Sequence, residues 1–275
     1  MIRKSKGSVR ALKGTYLALV LAFLYLPILV MFGLSFNASV SRAEWTGFTL
    51  DWYVKLFQDQ NIINALKVTL SVAVIATIVS VIIGTLGAIG MYSMNKGWFN
   101  LLSAISNIPM TMPDIVTGVS LMLMFVFVNT YVYFPRGFFT MLIAHVTFNR
   151  PYVLLSVMPR FKQLDKSLSE AAQDLGCTPS RAFFMVELPE IVPGIISGLM
   201  MSFTLSLDDF VISHFVSSPN FQTLPLYVYN QTAHNVKFSM YALSALIVAV
   251  ILTILLVVNF AGSAADRKGK KGGRS

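Results

Sequence analysis

The sequence predicts an all-α polytopic membrane protein of about six transmembrane helices, with a pair of short charged helices set between the fourth and fifth spans. Three observations carry this prediction. Hydrophobic residues make up 55% of the 275 and charged residues only 12%, a balance that a water-exposed surface of this size could not accommodate. Apolar runs long enough for a bilayer core recur near residues 15–35, 68–93, 102–128, 137–158, 193–215 and 240–260. The net charge of +9 is spread over the ends of these runs, with no single basic patch or aromatic-studded groove, which argues for topology and against nucleic acid.

Taken in order, residues 1–14 form a basic amino terminus with Arg3, Lys4, Lys6, Arg10 and Lys13. The run from Thr15 to Ser35 exceeds the core of a cleaved signal peptide and is expected to stay as an anchor. With this end inside the cell, fifteen of the twenty-one basic residues fall in cytoplasmic segments, so both termini are expected to be cytoplasmic. The external loop that follows contains "TLDWYVKLF", a short amphipathic helix capped by Thr49 with Trp52, Tyr53, Leu56 and Phe57 on one side. It reads either as a helix resting at the membrane interface or as a shelf for an external partner.

In span two, Gly84 and Ala88 lie four residues apart, and Gly87 and Gly90 three, so a neighbouring helix can approach closely. Spans three and four carry Pro109, Pro113 and Pro151. Near the outer end of span five, "QTLPLYVYNQT" alternates like a short strand. The transmembrane domain is expected to cover 15–260, with a basic cytoplasmic tail over 261–275. The single cysteine, Cys177, excludes an intrachain disulfide and a cysteine-cluster metal site.

Between spans four and five, over about 165–189, the pattern becomes soluble-looking. Asp165 fits a helix N-cap, Leu168, Ala171, Ala172 and Leu175 follow at helical spacing, and Gly176 stops the helix. Thr178 then caps a second helix with Pro179 at its first position, which is expected to end at Leu188-Pro189. The paired alanines bury little and admit a close neighbour, so insertion into a partner's groove competes with an ordinary hairpin. A DNA-reading helix pair would be more basic than this one.

These residues resemble the "EAA" segment of ABC importer permeases. Glu170-Ala171-Ala172 is followed by Asp174, by Gly176 and by Val186-Glu187-Leu188-Pro189, with Val186 in place of the family's isoleucine. The resemblance implies a coupling helix docked on a separate ATP-hydrolysing subunit. The chain has no G-x-x-x-x-G-K-[ST] run, so no phosphate-cradling loop of its own. ATP and magnesium are therefore expected on the partner, and this chain is expected to be neither an enzyme nor a holder of any metal or cofactor.

Within the spans stand Asp114, Asp208 and Asp209. A carboxylate in mid-bilayer costs about 3 kcal/mol or more, so each is a functional candidate. Ser202, Ser206, Asp209 and Ser213 recur at spacings of four, three and four, which puts them on one face of a continuous helix, a stripe able to line a pathway. Asp208 points elsewhere, and Pro113 beside Asp114 frees backbone carbonyls. With no lysine or arginine counted inside a span, the negative field is left for something that enters, and a cation is the natural guest. The isolated histidines His145 and His214 are read as hydrogen-bonded core.

"SFTLSLDDFVISHFV", "TLPLYVY" and "MTMPDIV" resemble the PotC-type permease family of spermidine/putrescine ABC importers. That resemblance implies half of a translocation pathway for polyamines in a bacterial inner membrane, a homologous second permease, two ATPase subunits, a periplasmic substrate-binding protein and surrounding lipid. The alternatives are an importer for another organic solute, such as an opine, another amine or a thiamine-like molecule, or an ion-coupled secondary transporter.

Overall fold

A computed structural model describes residues 5–39, 44–234, 238–250 and 252–253. Nearly all of these are helical, with two isolated bridges, Asn37 to Phe48 and Ser218 to Phe221, in place of any sheet. Span six beyond Thr253 and the basic tail lie outside the described residues.

The chain forms two units. The first comprises residues 1–60 and 230–275. It holds α1 (Ser5–Ser35), α2 (Asp51–Gln58) and α12 (Phe238–Val250). The expected amphipathic helix is α2, and its aromatic side packs within this unit. Trp52 stacks on Phe238 with ring centroids 5.5 Å apart, its indole N–H donates to the Asn37 carbonyl at 2.7 Å, and the Tyr53 hydroxyl bonds Ser35 at 2.8 Å. Phe57 stays exposed. Leu50 takes the N-cap position expected of Thr49, whose hydroxyl accepts from the Asp51 N–H.

The second unit, residues 61–229, is built on α3 (Gln60–Tyr92), α4 (Lys96–Thr111), α5 (Asp114–Tyr131) and α6 (Phe138–Gln163). Then come α7 (Lys166–Asp174), α8 (Pro179–Ala182), α9 (Leu188–Asp208), α10 (Val211–Val216) and α11 (Leu224–His234). Two apolar clusters sit along α6. One gathers Val72, Leu121, Phe125, Met141, Phe148, Ile212 and Val216, and the other Met91, Val153, Val157, Phe161 and Ile191. Small residues set the helix spacing: a Cβ on Gly84 would stand 2.8 Å from the Val153 side chain, and one on Gly198 3.2 Å from the Val153 Cα.

Four helices among the described residues are long and apolar enough to cross a membrane: Leu12–Ser35, Gln60–Tyr92, Asp114–Tyr131 and Pro179–Asp208. The third apolar run breaks at Pro113, as that proline led one to expect, into α4 and α5. Two expectations need correction. Leu188-Pro189 does not end a helix: Phe183–Glu187 form one π turn, in which the Leu188 N–H reaches the Phe183 carbonyl, and the helix runs on to Asp208. The wider turn accommodates a proline that would break ordinary α geometry. The segment "QTLPLYVYNQT" is helix α11, not a strand. Its buried residues Thr223, Leu226 and Tyr227 recur at helical spacing, and the Thr69 hydroxyl accepts from the Leu224 N–H at its start, at 2.7 Å.

Candidate functional site

Two regions carry the candidate residues. The first is the α7 to α8 segment. Asp165 caps α7 by accepting from the Ser167 N–H at 3.0 Å. That N–H and then the Ser167 side chain hold its carboxyl below the ordinary 3.8, so the cap persists at neutral pH and is lost only in strong acid. At the other end the Gly176 N–H donates to the Gln173 carbonyl at 2.9 Å and the Cys177 N–H to that of Ala172 at 3.1 Å. This paired closure needs left-handed backbone at Gly176, whose φ is +92°. Thr178 accepts from the Arg181 N–H, with Pro179 opening α8.

The segment is seated by one face only. Ala182 is fully buried and Phe183 and Leu188 pack on the second apolar cluster, while Ser169 donates to Glu187 at 2.9 Å. The other face is open: Glu170, Ala171, Asp174 and Pro189 are exposed, Ala172 is half-buried, and Leu175 is 88% exposed.

The second region is the interruption between α9 and α10. Asp209 has extended backbone, φ −62° and ψ 120°, and ends α9. Its carboxylate accepts from the Ile212 and Ser213 N–H groups at 3.2 and 2.7 Å and so caps α10. The stripe expected on one continuous helix is therefore divided by a break. Ser202, Ser206 and Ser213 are all buried.

Their partner is His145, which is hydrogen-bonded core as expected from sequence. His145 of α6 is buried, with Nδ1 3.1 Å from the Ser206 hydroxyl and Nε2 3.1 Å from that of Ser213. The same Nε2 lies 3.5 Å from Asp209 Oδ2, so Asp209 is not left for an incoming cation alone. Asn149, one turn along α6, donates to Ser206 at 2.7 Å. The signal available in sequence was the spacing of His145 and Asn149, four residues apart on one helix face.

Asp208 and Asp114 differ from Asp209 in being exposed. Asp208 ends α9 where the carbonyls of the last turn lack helical donors, which adds negative potential. Two residues further along the chain, the Phe210 ring lies 4.5 Å from Tyr229 and 5.7 Å from His214, centroid to centroid. Arg150 overturns the expectation of spans free of basic residues, since it stands mid-way along α6. It lines a groove of about 370 Å³ with Gly84, Gly87 and Gly90 of α3 and Ile105 and Ser106 of α4. None of the residues lining that groove comes from α5, α9 or α10.

Residues 80–269 match the family described as binding-protein-dependent transport system inner membrane component. The putrescine transport system permease protein PotI of Escherichia coli (strain K12) is 39% identical over 242 residues, covering 86% of this chain and 85% of PotI. The spermidine/putrescine transport system permease protein PotC of the same strain is 32% identical over 264 residues, covering 96% and 98%. A bacterial ABC transporter involved in the import of the acidic polysaccharide alginate shares the fold, with TM-score 0.73 over 96% of each chain at 18% identity. The chain belongs to the binding-protein-dependent inner membrane component family, the membrane-embedded permease subunits of ABC importers.

Proposed function

We propose that this chain forms half of the translocation pathway of an importer for polyamines. Spermidine and putrescine are the substrates named for its relatives PotC and PotI. The observation that carries the reading is Asp208. It is an exposed carboxylate at the open end of an interrupted helix, two residues before Phe210, whose ring packs on Tyr229, with Asp114 a second exposed acid of the same unit. Acid, helix-end carbonyls and π faces all favour an organic cation.

The α7 to α8 segment is the docking surface for a separate ATPase subunit, through Glu170, Ala171, Ala172, Asp174, Gly176 and the exposed Leu175, with Leu188 and Pro189 carrying its motion into α9. ATP and magnesium belong to that subunit. A homologous permease completes the pathway, a periplasmic protein delivers the solute, and both termini of this chain lie in the cytoplasm. The domain division follows: transmembrane domain 15–260, coupling segment within 165–189, basic ends outside.

The test is uptake of labelled spermidine and putrescine in cells with and without this gene, with ATP and membrane potential varied separately. ATP-dependent loss of uptake in the deletion is expected. Unchanged uptake, where no second polyamine system operates, assigns the permease to another organic solute, and dependence on membrane potential alone favours an ion-coupled carrier. In the same assay Asp208→Asn is expected to raise the apparent KM for spermidine about tenfold, the cost of one lost charge contact of about 1.4 kcal/mol. An unchanged KM removes Asp208 from the pathway.

A further inference from the structure

We propose that His145 is a positioning residue that clasps the two halves of the interrupted helix, α9 and α10, to α6, so that they move as one body during transport. The inference rests on the transport reading above and adds a residue to it.

A break in a membrane helix is ordinarily a place where the chain bends. Here α10 has only six residues, too few to hold helical structure unaided. It is anchored at both ends instead. The Thr140 hydroxyl of α6 donates to the Val216 carbonyl at its last residue, at 2.8 Å. At its first turn stand Asp209 and the His145 ring.

Histidine suits the position because its two ring nitrogens address opposite directions. Nδ1 meets Ser206, three residues before Asp209, and Nε2 meets Ser213, four residues after it. Asn149 donates to Ser206, and Nε2, within reach of both the Ser213 hydroxyl and the Asp209 carboxylate, is the nitrogen at which a ring proton is stabilised. Close packing holds the rest of α9 to the same helix, since a Cβ on Gly194 would stand 2.8 Å from the Ser156 carbonyl of α6. Motion entering α9 from the α8 end is therefore passed to α10 without loss at the break.

The test uses the whole transporter, with its ATPase and binding protein, in proteoliposomes. His145→Leu removes the hydrogen bonds while keeping much of the volume. It is expected to lower maximal uptake at least tenfold, keep the KM within twofold, and raise the ATP hydrolysed per solute moved at least tenfold. Adding Asp209→Asn to His145→Leu is expected to cost less than a further twofold, because the two act as one unit. A raised KM at full maximal rate, independent multiplying effects, or a slower rate at unchanged ATP per solute each overturns the clasp.

A second measurement needs no destabilising variant and no transported solute. With Cys177→Ser as background, spin labels at Met201 and His214 are expected to keep their separation within about 2 Å between nucleotide-free and nucleotide-bound states. A change above about 5 Å shows that the break flexes and overturns the proposal. Failure of the unsubstituted transporter to move polyamines would instead count against the substrate, leaving this distance to judge the clasp.

Discussion

Gly194→Val is expected to leave little assembled permease in the membrane. The added Cβ alone would stand 2.8 Å from both the Ser156 carbonyl oxygen and the Arg160 Cγ, and 3.3 Å from the Val157 Cα. Arginine can swing its stem aside, but a helix backbone cannot yield locally, so α9 must move away from α6 along its length. Overpacking of this kind costs about 1–3 kcal/mol for small insertions, and more when backbone is the obstacle. The loss extends to Gly198, whose own Cβ would meet Val153 at 3.2 Å. The check is the yield of monodisperse transporter after detergent extraction, with Gly90→Ala as control, since a Cβ there has nothing within 4 Å. Equal yields for the two would mean that the α6 to α9 contact does not organise the fold.

Gly176→Val is expected to uncouple ATP hydrolysis from uptake without affecting assembly. At φ +92° a β-branched residue is strained by about 1–2 kcal/mol, and relief requires opening the paired hydrogen bonds that close α7. Nothing lies within 4 Å of the site of its Cβ, so the effect arises from backbone conformation and leaves the membrane core untouched. The exposed Leu175 next to it would lose its fixed direction, and with it the docking surface. Uptake is expected to fall at least tenfold while membrane abundance stays within twofold. Normal uptake would count against the coupling role of this segment, and Glu170→Ala gives a parallel test that leaves the turn intact.

How much of this was legible in the sequence depends on the range of the interaction involved. The caps at Asp165 and Thr178, the stop at Gly176 and the amphipathic α2 were readable because each is settled by neighbours within a few residues. The helical nature of the chain and its membrane character follow from composition and the length of apolar runs, which no tertiary contact can reverse. The same local reasoning failed at Pro189, where one π turn absorbs a helix breaker, and at Leu224–His234, where short-range alternation hid a helix whose buried side is defined by packing.

The intramembrane acids mark the division most sharply. Sequence alone established that Asp114, Asp208 and Asp209 stand in apolar surroundings and that a carboxylate there needs a partner or a purpose. It could not tell them apart, because the difference lies in a helix more than sixty residues away. His145 meets Asp209 across a sequence separation of 64 residues, while Asp208, its immediate neighbour, stays exposed. One rotation of about 100° along a helix, followed by a break, decides which acid is bound into the core and which faces outward. Local sequence determined that this protein would be a bundle of apolar helices interrupted by a short, charged helix pair. Only the packing of α6 against α9 and α10 decided which of its acids is paired in the core and which stays exposed, because burial and pairing are properties of elements brought together from distant parts of the chain.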